Sequence, residues 1–320
     1  MLHHAVYGLT VASDFPFSWP LVRSDRPADV YFVCESEAPV EVDWDANAPV
    51  HAVAVHGDGP DLTYHRVGEV DVVRVRGAAD HYLFEDRIVC HLHDPALEYL
   101  AEIQLFGMVL ALWLERHGVP ALHASCAVIN DRAVAFLGTK GGGKTTAVAA
   151  LLAAGYELLA DDLLALQLEH GRVMAQPGYP LLRLWPDQAE HFLGRHDHLP
   201  LVHPSFSKRR VVVGAGWGAF HAAPAMLDRI YLPLRSGPGQ RAGREVLIEP
   251  VRSSDALIAM IRESYLREAV HGLGLAGARL AQLAQVLCDV QVRVLRYDSG
   301  FEHLTQMVVA VQEDVVARSR

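Results

Sequence analysis

Cysteine is scarce in this chain and scattered along it. The 320 residues hold four, Cys34, Cys90, Cys126 and Cys288, with no C-x-x-C pair among them. That excludes a disulfide framework, speaks against a zinc site, and fits reduced, mostly buried thiols in a cytoplasmic protein. Basic charge is also short. Lys and Arg number 28 against 38 Asp and Glu, leaving a formal charge of −10 and a pI near 6.0, although eighteen histidines would offset part of it in mild acid. A chain of this sign lacks the field that draws in a nucleic-acid backbone or an anionic membrane, so neither is expected as a partner. Long apolar runs are missing as well. Met1-Leu2-His3-His4 opens no secretory h-region. The most apolar helical stretch, Pro95–Arg116, is interrupted by Glu98, Glu102, Gln104 and Glu115, so it reads as a buried core helix rather than a membrane span. Internal repeats and low-complexity tracts are absent too.

What is present divides into regions. At 51% hydrophobic, the chain can bury one large core or two smaller ones. Residues 1–94 carry short β-type alternations, such as Val30-Tyr31-Phe32-Val33 and Val70-Asp71-Val72-Val73-Arg74-Val75, parted by turn signals such as Gly57-Asp58-Gly59-Pro60. They predict a small, mainly antiparallel β domain. Residues 95–118 predict a connecting core helix that stops at Gly118-Val119-Pro120. Residues 119–320 predict an α/β domain. There a strand over 125–129, an Asn130-Asp131 hairpin turn and a second strand over 133–137 come first. A helix over 146–154 and the strand Glu157-Leu158-Leu159-Ala160 follow. Further strands are predicted over 210–213, 228–234, 245–250 and 290–297, with helices over 254–267 and 275–287.

The most specific motif is Gly138-Thr139-Lys140-Gly141-Gly142-Gly143-Lys144-Thr145, which fits the phosphate-loop pattern G-x-x-x-x-G-K-[ST] between a strand and a helix. Glycines let backbone amides turn onto phosphate oxygens, and the helix that follows, starting at Thr146, adds its positive end. Lys144 is placed to reach the β- and γ-phosphates and the Thr145 hydroxyl to ligate Mg²⁺. The chain is therefore expected to bind ATP and Mg²⁺.

Asp161-Asp162 closes the next strand, sixteen and seventeen residues after Thr145. Carboxylates at strand ends beside bound phosphates serve two tasks, holding metal and accepting a proton from an attacking hydroxyl. Like charges side by side divide such labour by pushing their pKa values apart. His123 precedes Gly138 by fifteen residues, a spacing that brings it back near the loop's mouth if the intervening strands form a hairpin. Lys208-Arg209-Arg210 offers a cation, Lys208 or Arg210, to the phosphate or to an acidic peptide.

Together, His123, the loop and Ala160-Asp161-Asp162 resemble the C-terminal domain of HPr kinase/phosphorylase. That family has a histidine fifteen residues before the loop glycine, a G-x-x-G-x-G-K-[ST] loop and a Gly-x-x-Leu-[VL]-Ala-Asp-Asp segment. The last reads here Gly155-Tyr156-Glu157-Leu158-Leu159-Ala160-Asp161-Asp162. The opening Tyr7-Gly8-Leu9-Thr10-Val11-Ala12-Ser13 is similar to the start of short HPr-kinase-like proteins of bacterial peptide-modification clusters, lasso-peptide kinases included. The resemblance implies a P-loop HPr-kinase-like α/β fold and ATP-dependent phosphorylation of a serine or threonine hydroxyl on a peptide or small protein. It implies Asp162 as proton acceptor, Asp161 and Thr145 at the metal, Lys144 on the phosphates and His123 beside the aspartates. A homo-oligomer is also expected. The family's Glu-x-Arg-Gly segment has its nearest counterpart in Gly178-Tyr179-Pro180-Leu181-Leu182-Arg183-Leu184-Trp185, which keeps Arg183 and lacks the glutamate; Asp187 is the nearest acid that could replace it.

Three other readings share parts of this pattern. Partitioning-type ATPases carry their signature lysine four residues before the last loop glycine, where Thr139 stands here. Phosphoenolpyruvate carboxykinase shares the loop and the acid pair but is a far longer chain. A nucleotide-binding regulatory protein without turnover has little need of His123 and both aspartates.

Overall fold

The computed structural model describes residues 1–53, 61–236 and 246–317. The Gly57-Asp58-Gly59-Pro60 turn and the first residue of the strand expected over 245–250 lie outside them. The chain divides into two compact units, Met1–Val119 with Tyr265–Leu280, and Pro120–Ser264 with Ala281–Arg320. Two expectations change. The helical segment expected to connect two domains belongs to the first unit, and so does Tyr265–Leu280, which was expected within the 119–320 domain.

The first unit is built on a nine-stranded sheet. One inner strand, Val30–Glu35, runs parallel to both neighbours, Leu9–Ser13 and the central strand Arg87–Leu92. The other pairings are antiparallel, including the run Arg87–Leu92, Ala79–Leu83, Val70–Val75, Leu62–Val67. Pro95–Arg116 is long and apolar enough to cross a membrane, with 67% of its most apolar window buried inside the protein. The two buried acids that interrupt it have partners. Glu102 accepts from Ser18 N (3.1 Å), Ser18 Oγ (2.7 Å) and Trp19 N (2.7 Å), and buried Glu115 pairs with buried Arg279. Burial of these carboxylates is thereby compensated. A π-type turn over Leu105–Val109 breaks the helix at Gly107, where a Cβ would lie 3.1 Å from the Tyr265 hydroxyl.

The second unit holds a ten-stranded sheet. Ala124–Ile129 and Arg132–Leu137 form an antiparallel hairpin. Its turn residues Asn130 and Asp131 both have positive φ (48° and 61°), the conformation that matches a two-residue hairpin to the strand twist. Arg132–Leu137 also runs parallel to Ala225–Ser236, which in turn runs parallel to Gln291–Asp298. Alternate residues of the hairpin feed two cores. Ala127, Ile129, Val134 and Phe136 pack with helices Lys144–Ala153 and Leu304–Ala317. Ala124, Cys126, Ala133 and Ala135 pack with Ser253–Arg262 and with Leu283 and Val286. Both faces are covered, which explains why these strands read as unbroken apolar runs. The helix expected over 254–267 divides into Ser253–Arg262 and Arg267–Gly272, and Leu304–Ala317 was not anticipated. Of the four cysteines, Cys90 and Cys126 are buried while Cys34 and Cys288 are exposed, so the expectation of mostly buried thiols holds for half of them.

Candidate active site

The parallel joint beside Arg132–Leu137 places the segment 138–145 at the carboxyl end of the sheet, leading into Lys144–Ala153. Gly141 (φ 80°) and Gly143 (φ 96°) occupy the left-handed region. At Gly143 a Cβ would also come within 3.0 Å of the Tyr297 hydroxyl and 3.2 Å of Arg235 Nε. The positive φ favours glycine there, and a Cβ would require the Tyr297 and Arg235 side chains to give way by a few tenths of an ångström. Gly138 has no such constraint; a Cβ would meet only Pro233 at 3.9 Å. No side chain among the described residues caps the helix N-terminus at Gly143. Its first amides are thus left for an anion, as in other phosphate loops. Lys144 Nζ donates to Gly138 O (2.6 Å) and Thr139 O (3.3 Å). Burial pushes the Lys144 pKa down; Asp161, Asp162 and Glu263 oppose that shift, and Lys208 adds to it.

The two aspartates face different partners. Asp161 is buried. Its Oδ1 accepts from Ser125 Oγ (2.6 Å) and Thr145 Oγ1 (3.0 Å), and its Oδ2 from the Arg183 amide (3.2 Å). Asp162 has φ 74°, in the left-handed region that aspartate and asparagine enter more readily than other non-glycine residues. Its Oδ2 accepts from Arg183 Nη1 (2.6 Å) and its Oδ1 lies 3.9 Å from His123 Nδ1. Arg183 also donates to the Tyr179 hydroxyl (2.8 Å). His123 stands just before its strand, with its amide tied to Glu263 O (2.9 Å). Burial is the main cause of its lowered pKa; the carboxylates of Asp162, Asp161 and Glu263 oppose it and Lys144 reinforces it.

The structure therefore brings His123, Lys144, Thr145, Asp161, Asp162 and Arg183 together. Lys208 is near enough for its charge to act on Lys144, and its ammonium also lies over the Trp185 ring, 5.3 Å from the centroid. Arg210 is the strand partner of Arg183. Asp187 does not join them. It is exposed in the first turn of Pro186–Leu193, and the neighbouring Gln188 reaches the loop helix instead, donating to Thr146 Oγ1 (2.8 Å). Lys140 points over the exposed Phe206 ring (5.6 Å). Sequence reasoning missed Ser125, Gln188, Tyr297 and Arg235. Ser125 left a trace, as a hydroxyl in a strand whose every residue is buried. The other three come from distant elements.

Hard oxygen donors suit Mg²⁺. Thr145 Oγ1 and Asp161 Oδ1 are such a pair and sit beside the loop, so these residues fit that ion.

No family model matches the chain, and no curated protein does. Among solved structures, the chain is similar to the Hpr(Ser) kinase/phosphatase from Coxiella burnetii. Identity is 11% and the TM-score 0.32, over 62% of this chain and 99% of that one. The likeness is a weak one, at the level of the fold.

Proposed function

We propose that the protein is an ATP-dependent kinase that phosphorylates a serine or threonine hydroxyl on a peptide or small protein, a ribosomally made precursor peptide being the candidate acceptor. The observation that carries this reading is the hydrogen bond between Thr145 of the glycine loop and Asp161, with Asp162 turned beside it toward His123 and Arg183. A protein that only bound nucleotide would need the first carboxylate but not the second.

In this reading, the loop amides and Lys144 hold the triphosphate. Thr145 and Asp161 would hold Mg²⁺, which when bound would neutralise phosphate charge. Asp162 accepts the proton of the acceptor hydroxyl as its oxygen bonds to the γ-phosphorus and the bond to the β–γ bridging oxygen breaks, releasing ADP. Arg183 fixes the Asp162 carboxylate by a charge-assisted hydrogen bond, and neutral His123 keeps a second cation away from it. The competing reading is an ATPase without a peptide acceptor, supported by the same loop. Incubation with γ-labelled ATP and serine-containing peptides separates the two. Label on a peptide, lost in Asp162→Asn, supports the kinase; label appearing only as free phosphate refutes it. A homo-oligomer and a cytoplasmic location belong to this proposal as well.

A further inference from the structure

In the first unit, strand pairing sets Asp80 opposite His91, and the ladder extends one step further because the His93 amide donates to Ala78 O (2.9 Å). Side chains alternate along a strand, so His91 and His93 share one face of the sheet and Asp80 joins them across the pair. Asp80 Oδ2 is 3.1 Å from His93 Nε2, and one donor atom from each of the three residues lies within 4.8 Å of the others.

Ordinary packing does not account for this cluster. Asp80 is 5% exposed. Its Oδ1 and the buried His91 Nδ1 each have no hydrogen-bond partner among the described residues. Buried polar atoms left in this condition carry a desolvation cost and call for a partner. Arg74 supplies part of the compensation, with Nε 3.5 Å from Asp80 Oδ1, but its guanidinium is drawn over the Trp44 ring, 4.1 Å from the centroid.

We propose that Asp80, His91 and His93 bind one divalent first-row transition cation, with zinc as the reference case, and leave a further coordination position open toward solvent. Two donors each about 2.0–2.1 Å from a tetrahedral zinc stand about 3.3 Å apart, close to the 3.1 Å between Asp80 and His93. Imidazole with carboxylate favours such ions over Mg²⁺ or Ca²⁺. The shortage of cysteine, which spoke against zinc, does not bear on this donor set. Exposed Glu35 is the strand partner of His91 on the other side, where it can serve as a further oxygen donor. His93, the exposed member, has the freedom to close the remaining separations.

The test uses the full-length chain, stripped with a chelator and titrated with Zn²⁺ by calorimetry and with Co²⁺ by visible absorption. With eighteen histidines in the chain, weak binding elsewhere is expected, so the double variant His91→Ala/His93→Ala sets the background. The wild type should bind one equivalent at least roughly 100-fold more tightly than that variant, since removing a ligand costs more than the 10–100-fold of a second-shell loss. His93→Ala alone should lose that equivalent while keeping a native circular-dichroism spectrum. Thr145→Ala should retain it. Wild-type binding no tighter than the double variant, or a tight equivalent that survives His93→Ala, would overturn the site.

Discussion

The two clusters proposed to carry chemistry are assembled in opposite ways. In the second unit the loop glycines, Lys144 and Thr145 are consecutive, and Asp161-Asp162 follows one helix and one strand later. In the first unit Asp80 and His91 meet only because two strands pair. A site laid along the chain survives changes in distant packing as long as its own turn forms. A site laid across a sheet depends on register, since a slip of one residue sends a side chain to the other face.

Each of the following outcomes would break or sharpen that contrast. The largest effect is expected at the consecutive site. Lys144→Ala and Asp162→Asn should each cut phosphoryl transfer by about 10²–10⁴-fold, while Asp162→Asn leaves ATP affinity nearly unchanged in calorimetry. A collapse of ATP binding in that variant would reassign Asp162 to the metal. Next comes a perturbation confined to the first unit. Glu115→Gln removes the carboxylate that pairs with buried Arg279 and should cost roughly 3–5 kcal/mol in denaturant unfolding, with the turnover of the folded fraction unchanged; a parallel loss of turnover would show that the two sites are not independent. Gly143→Ala forces a Cβ into a left-handed position and should lose about 1–2 kcal/mol of stability together with ATP binding, read by thermal shift with and without nucleotide. Ser125→Ala removes one of the donors that orient Asp161, and should raise the Mg²⁺ concentration for half-maximal activity roughly tenfold.

The smallest effect is a matter of pH. His123 has its pKa lowered from 6.5, so below 6.5 the unfolded chain takes up this proton more readily than the native one. Stability from this group is complete above 6.5 and is lost as pH falls through the lower native value. The acid limb of the rate profile should follow the same protonation and flatten in His123→Gln.

The legible part of the molecule follows from this contrast. The loop, its strand and helix, and the acid pair could be read directly, because each feature is a local rule of backbone geometry or spacing. Arg183 was legible only through the family resemblance, since nothing in Leu182-Arg183-Leu184 announces that its guanidinium meets Asp162. Asp187 stands exposed in the first turn of its helix; one residue further on, Gln188 has the orientation that reaches the loop helix, a difference of helix phase that charge alone does not reveal. Ser125 left only its hydroxyl in an otherwise apolar strand. Arg235 and Tyr297 reach the loop from strands far apart from it in sequence, and sequence spacing carries no trace of that. The placement of Tyr265–Leu280 in the first unit was hidden for the same reason, as was the Asp80 cluster.

The hairpin turn at Asn130 and Asp131 has a practical consequence. Ser125 is opposite Phe136 and Ala124 opposite Leu137, so the interval from His123 to Gly138 is a ruler set by two strands and a tight reversal. A homologue with one residue more or fewer in that interval would rotate Ser125 away from the acid it steadies. Gap length there, more than residue identity, is the criterion by which to sort working copies of this machinery from relics.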